Sequence, residues 1–157
     1  MERLKIYLDS SVISLLDQND SPERMAYSHK LWEKIRAGEF EVVISDVVKV
    51  EIDQCNEIKR NILLGYLDEI EYSMIEVGNY DRIFDIAERF IDLGILKKSS
   101  FDDCLHIAAA IISGCDVIVS WNFGLIVNHK MINGVKVITA KEGYPNLLIY
   151  APPMLLE

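Results

Sequence analysis

Residues 99–120 read SSFDDCLHIAAAIISGCDVIVS, and this stretch decides the fold. From Cys104 to Cys115 nothing is charged apart from the titratable His106, so the segment reads as a helix that belongs inside a protein. Asp116 to Ser120 follows as a strand. An apolar helix leading straight into an apolar, β-branched strand predicts a parallel sheet covered by helices on both faces.

The rest of the chain repeats the pattern. Leu4 to Leu8 is a short strand that stops at Asp9-Ser10-Ser11, with a helix expected over 11–16. Ser21-Pro22-Glu23 reads as a helix start, serine as cap and proline at the first helical position. That helix sets Tyr27, Leu31, Trp32 and Ile35 on one face and ends near Gly38. Val42-Val43-Ile44 is the second strand, and Ser45-Asp46 opens a helix, with Asp46 as its cap. A further helix is expected over 61–70, a strand from Tyr72 to Val77, and a helix with Ile83, Ala87, Phe90 and Ile91 inward, ending at Gly94. Beyond Ser120 the reading is a loop with a short turn of helix, then Val135 to Thr139 as the last strand. The tail from about 143, with Pro145, Pro152 and Pro153, is expected to be irregular or an edge. The whole is a single domain over 1–157 of the three-layer α/β/α class with a mostly parallel central sheet.

Composition narrows the function. Half of the 157 residues are hydrophobic and 26% are charged, as in a globular domain. No apolar run reaches bilayer length, and the opening MERLKIYLDSS is too short for a signal-peptide core; a cytoplasmic location without membrane attachment is the expectation. Three cysteines, 55, 104 and 115, lack metal-finger spacing and are expected to be reduced and mostly buried. A net charge of −9 argues against a broad basic face for nucleic acid. It leaves room for an enzyme that meets phosphates through bound cations, since a metal reverses the local charge.

In sheets of this kind the ligand site lies beyond the carboxyl ends of the strands. Three acids stand at such places: Asp9 ends the first strand, Glu51 sits on the helix after the second, and Asp103 opens the helix leading into the fourth. Each has a plainer reading. Asp9 can cap the next helix, Glu51 can be solvated, and Asp102 and Asp103 can both serve the helix dipole at about 0.3–1 kcal/mol each. Jointly placed, however, they would repel one another without a counter-charge, and hard oxygen ligands select Mg²⁺ or Mn²⁺. Such a site suits phosphate-ester hydrolysis by a metal-activated water.

IYLDSSVIS, ISDVVKVEI, DCLHIAAA and VSWNFGLIVN, in this order, resemble the PIN domain, the metal-dependent ribonuclease family that includes VapC-type toxins. The resemblance implies an α/β/α sandwich, often dimeric, and endonucleolytic hydrolysis of single-stranded RNA. It implies Asp9, Glu51 and Asp103 as metal ligands, Asn122 orienting a carboxylate or a metal-bound water, and an antitoxin protein as partner. Ser10 or Ser11 would hydrogen-bond the pocket. Its register selects Asp103 over Asp102. Relatives with a further acid would carry it at 125 or 126; this chain has Leu125 and Ile126, and no Asp or Glu between Asp116 and Glu142. That absence leaves a second reading open, a catalytically silent module binding protein or RNA.

Other candidates have bland alternatives. His106 lies one turn after Asp102 and Asp103 and could pair with either; a hydrogen-bonded core histidine is the expectation over a catalytic one. Trp121 is expected in the core, and His129 as an exposed bystander. Lys49, Lys59, Arg60, Lys97 and Lys98 could make a modest track for an RNA backbone, with plain solvation the default for each, and Leu155 and Leu156 hint at docking of the tail.

Overall fold

The structure, a computed structural model, describes residues 2–156. Five strands form one sheet: β1 (Leu4–Leu8), β2 (Phe40–Ser45), β3 (Ser73–Ile75), β4 (Val117–Val119) and β5 (Leu148–Tyr150). Their order is β3-β2-β1-β4-β5 and every pairing is parallel. Among the described residues seven α-helices connect them: α1 (Ser10–Ser14), α2 (Pro22–Arg36), α3 (Asp46–Asp53), α4 (Glu57–Leu67), α5 (Asp81–Asp92), α6 (Phe101–Ile112) and α7 (His129–Glu142).

Alternation along each strand divides the core in two. Ile6, Leu8, Val42, Ile44, Val117 and Val119 pack with Leu31, Trp32, Ile52 and Leu63 from α2, α3 and α4. Tyr7, Val43, Ile118 and Ile149 face the opposite way, onto α5, α6 and α7. Burial on both faces is why these strands are almost continuously β-branched or aliphatic. The expected three-layer α/β/α sandwich is thus the observed one. Among the described residues no helix is long and apolar enough to cross a membrane.

The expected element boundaries need correcting in several places. The helix expected at 61–70 runs Glu57–Leu67, capped by the Asn56 side chain, which accepts from Lys59 N at 2.9 Å. The strand expected from Tyr72 to Val77 is only Ser73–Ile75, followed by a 3-10 turn at Val77–Asn79. Ser45, not Asp46, occupies the cap position of α3; Asp46 instead accepts from Val77 N at 3.0 Å, pinning that turn. Ser21 caps α2 by position alone, without a side-chain bond.

The largest error concerns Val135 to Thr139, which belong to α7 and not to a strand. The β-branched run VKVIT invites a strand reading, but a strand would bury Val135 and Val137 together. Instead Met131, Val135, Ile138 and Thr139 are buried at helical spacing while Val137 is 55% exposed. Asn128 caps the start, accepting from Met131 N at 2.9 Å, and Gly143 ends the helix at φ +83°. The last strand is β5, inside the tail that was expected to be irregular or an edge; it is an edge strand, followed by a 3-10 turn at Pro152–Leu155. Leu155 and Leu156 pack onto the protein's own α2-side core.

Gly134 lets α7 approach the loop after α5. A Cβ there would collide with the end of the Ile95 side chain and lie 3.2 Å from its Cγ1. Gly134→Val is therefore expected to cost about 1–3 kcal/mol, measured by denaturant unfolding. An unchanged midpoint would show that Ile95 swings away freely.

Candidate active site

The strand order reverses direction at β1, whose neighbours are β2 and β4. A crevice is expected beyond the carboxyl ends at that point, and Asp9 stands there. Its backbone N–H reaches Val119 O at 3.3 Å, and its side chain caps α1. Oδ1 accepts from Ser11 N at 3.1 Å, Ser11 Oγ at 2.5 Å and Val12 N at 3.4 Å; Oδ2 accepts from Ser120 Oγ at 2.5 Å. The two hydroxyls are themselves held, Ser11 Oγ accepting from Trp121 N at 2.8 Å and Ser120 Oγ from Asn122 N at 2.9 Å. Asp9 is only 4% exposed, and burial raises its pKa despite nearby His106 and these donors.

Glu51 reaches the same crevice from α3. Its Oε1 accepts from Ser10 Oγ at 2.8 Å and from His106 Nε2 at 2.5 Å. On the far side of the imidazole, Nδ1 lies 2.7 Å from Tyr7 OH, which lies 2.8 Å from Ser45 Oγ. One hydrogen-bonded chain therefore runs from Ser10 through Glu51, His106 and Tyr7 to Ser45. Burial pulls the His106 pKa down, but the bond to Glu51 and the charges of Asp9, Glu51 and Asp103 outweigh it and raise the pKa. Burial pushes Glu51 up; His106 and Ser10 overcome it and leave the carboxyl below its usual value.

Asp103 sits in the first turn of α6, half-buried, whereas Asp102 beside it is exposed. The cap position, Ser100, makes no side-chain bond, so both acids also face the positive helix end. Burial first, then the charges of Glu51, Asp9 and Asp102, push Asp103 up to about 6 against the pull of His106. Among the described residues no hydrogen bond steadies this carboxylate.

Asp9 and Glu51 thus stand with His106 in one electrostatic neighbourhood, and Asp103 feels the charge of all three. Three carboxylates face one imidazole, and Asp103 bears the uncompensated part. This donor set of hard oxygens fits Mg²⁺ or Mn²⁺ rather than zinc. Among the described residues no three His, Cys, Asp or Glu side chains are already drawn together as a metal-binding group. Any cation held here would therefore keep several waters in its coordination sphere, the usual habit of Mg²⁺.

Asn122, expected to orient a carboxylate or a metal-bound water, contributes to the loop. Its Oδ1 accepts from Leu125 N at 3.0 Å and shapes the loop after β4. The residue from this segment that touches an acid is Ser120, which sequence reasoning passed over; a serine closing the apolar strand VIVS is the available signal. His106 pairs with Glu51, not with Asp102 or Asp103. Trp121 is in the core as expected, 6% exposed, with Nε1 donating to Ser28 Oγ at 2.8 Å. His129 begins α7 and is exposed. Lys59 is engaged with Gln18 at 2.6 Å, and Lys49 lies over Tyr72, 5.7 Å from the ring centroid. Cys104 and Cys115 are buried, Cys55 partly so, and all three are free thiols.

No family model matches the chain, and no curated protein matches it. Among solved structures it is similar to the crystal structure of VapBC2 from Rickettsia felis bound to a DNA fragment from their promoter. The match has 13% identity and a TM-score of 0.56, and covers 94% of this chain and 98% of that one. At that identity the likeness is one of fold, and the fold is PIN-like.

Proposed function

We propose that the protein is a Mg²⁺- or Mn²⁺-dependent endoribonuclease that cleaves single-stranded RNA in the crevice of Asp9, Glu51 and Asp103. The observation that carries this reading is Asp103, a half-buried carboxylate that accepts no hydrogen bond among the described residues and is raised first by burial and then by the charges of Glu51, Asp9 and Asp102, beside the switch point of a parallel sheet. When bound, the cation supplies an activated water and neutralises charge on the scissile phosphate. The chain's residues do the positioning. Ser11 and Ser120 fix both oxygens of Asp9. Ser10 and His106 occupy Oε1 of Glu51 and leave Oε2 for the cation. His106 keeps a proton on Nε2, and Tyr7 with Ser45 holds the ring in place.

The similarity to VapBC2, with the resemblance of the four segments to VapC-type toxins, supports the toxin of a toxin–antitoxin pair, working as a homodimer in the cytoplasm. A partner would find apolar surface on Val50 of α3 and on Ile58 and Ile62 of α4, exposed by 54%, 77% and 39%. A second reading, a silent module that binds protein or RNA, draws on the Glu51–His106 pair, which neutralises part of the crevice without a metal, and on the missing further acid.

Labelled single-stranded RNA incubated with Mn²⁺, or with chelator, separates the two. Cleavage is expected only with metal, and neither by Asp9→Asn nor by Asp103→Asn. Cleavage that survives both substitutions would sink the metal site. No cleavage by any form, with no metal-induced rise in melting temperature, selects the silent module.

A further inference from the structure

Phe123 is 45% exposed, in the loop just beyond β4 and three residues past the serine that clasps Asp9. Nothing in the crevice described above uses it. The Arg24 guanidinium lies over its ring, 5.3 Å from the centroid, and 5.4 Å from that of Trp121. Trp121 meets Phe123 edge-on at 6.3 Å, which holds the exposed ring on a buried one. The same ring lines a cavity of 540 Å³, together with Ile95, Lys97, Ser100, Leu125 and Lys130. That volume lies in the ordinary range of ligand pockets, about 300–1,000 Å³. Ser100 ties it to the active crevice, being the cap position of the helix whose first turn carries Asp103. Arg24, Lys97 and Lys130 are exposed, and none has an ion-pair partner among the described residues.

In a chain of net charge −9, three exposed cations that have no ion-pair partner among the described residues, grouped around one exposed aromatic, mark an exception to the general repulsion of polyanions. An aromatic platform flanked by cations is how unpaired bases are held without sequence readout. We propose that Phe123 is a base-stacking platform for single-stranded RNA. The base beside the cleaved linkage lies against the ring in this cavity, and Arg24, Lys97 and Lys130 meet the flanking phosphates. The proposal rests on the ribonuclease reading and deepens it.

Fluorescence anisotropy tests it, with a 5′-labelled single-stranded RNA, low salt and chelator so that nothing is cleaved. Phe123→Ala is expected to weaken binding about five- to a hundredfold, the range that loss of one stacked base produces. Phe123→Tyr should bind as the wild type does. Lys97→Ala with Lys130→Ala should weaken binding and flatten its salt dependence. Thermal melts of each variant identify any that is unfolded, and Tyr against Ala at one position isolates the ring. Wild type that binds no single strand, binds duplex RNA equally well, or is unaffected by Phe123→Ala overturns the platform. Phe123→Ala that spares RNA but loses a protein ligand makes the cavity a protein-docking site and overturns it too. Metal-dependent cleavage that ignores Phe123 sinks the platform alone. RNA binding that needs Phe123, in a protein that cleaves nothing, sinks the ribonuclease and leaves the platform standing.

Discussion

Asp103→Asn is expected to abolish metal-dependent cleavage and, in chelator at neutral pH, to make the protein more stable than the wild type. The two effects have one cause. Asp103 ionises at about 6 in the folded chain against 3.8 for the free group, because it is half-buried beside Glu51 and Asp9. Between about pH 4 and 6 the folded state holds a proton that the unfolded state has released, so wild-type stability falls as pH rises and stays lowered above that window. A neutral amide removes the penalty, about 2 kcal/mol after allowance for partial exposure. Melts at pH 3.5, 6 and 7.5 in chelator should show the variant ahead at pH 7.5 and close to level with wild type at pH 3.5. Mn²⁺ should then raise the wild type and leave the variant unmoved. A variant less stable than wild type at every pH would mean that Asp103 already has its counter-charge. Such a trade of stability for function is common where charge is concentrated for catalysis.

His106→Ala is expected to cost about 2–4 kcal/mol in denaturant unfolding. It removes a side chain that is 3% exposed, strips Glu51 of its strongest donor, and leaves Tyr7 OH without a partner on that side. Breaking a buried pair usually costs more, about 3–5 kcal/mol, but the Glu51 side chain is one-third exposed and water recovers part of the loss. The pH dependence is specific. Glu51 is lowered from 4.5, so its share is present above that value and fades as pH falls further. His106 is raised from 6.5, so its share is complete below that value and fades as pH rises through the folded pKa. The gap between wild type and His106→Ala is therefore widest between about pH 4.5 and 6.5. His106→Gln, whose amide can still donate to Glu51, should recover most of it. A gap independent of pH would show that His106 acts by packing alone.

Much of the fold was legible because its strongest elements carry one unambiguous period. Ile6, Tyr7 and Leu8 alternate between two buried faces, α5 repeats apolar residues every third or fourth position, and α6 is apolar on every side. At 135–139, β-branched residues favoured a strand locally while burial at helical spacing and the caps at Asn128 and Gly143 favoured a helix; the longer pattern prevailed. Asp9, Glu51 and Asp103 stood out as candidates from their positions at or near strand and helix ends. Their hydrogen-bond partners did not. Ser120 and Asp9 are 111 residues apart, and His106 and Glu51 are 55 apart, so nothing local couples them. A histidine on an apolar helix has no signature that distinguishes Glu51 from the nearer Asp103 as its partner.

The clasp on Asp9 also ties the site to the order in which the chain is made. β1 is synthesised first, yet its second neighbour, β4, and the serine that completes the Asp9 carboxylate come only after residue 116. Joining them means closing a loop of more than a hundred residues, the kind of long-range pairing that comes late in folding. While the first hundred residues emerge, Asp9 has only the donors of its own helix cap, and Asp103 has yet to appear. A truncated or half-made chain therefore has the first strand without the assembled crevice, and whatever the crevice does begins only with the finished sheet.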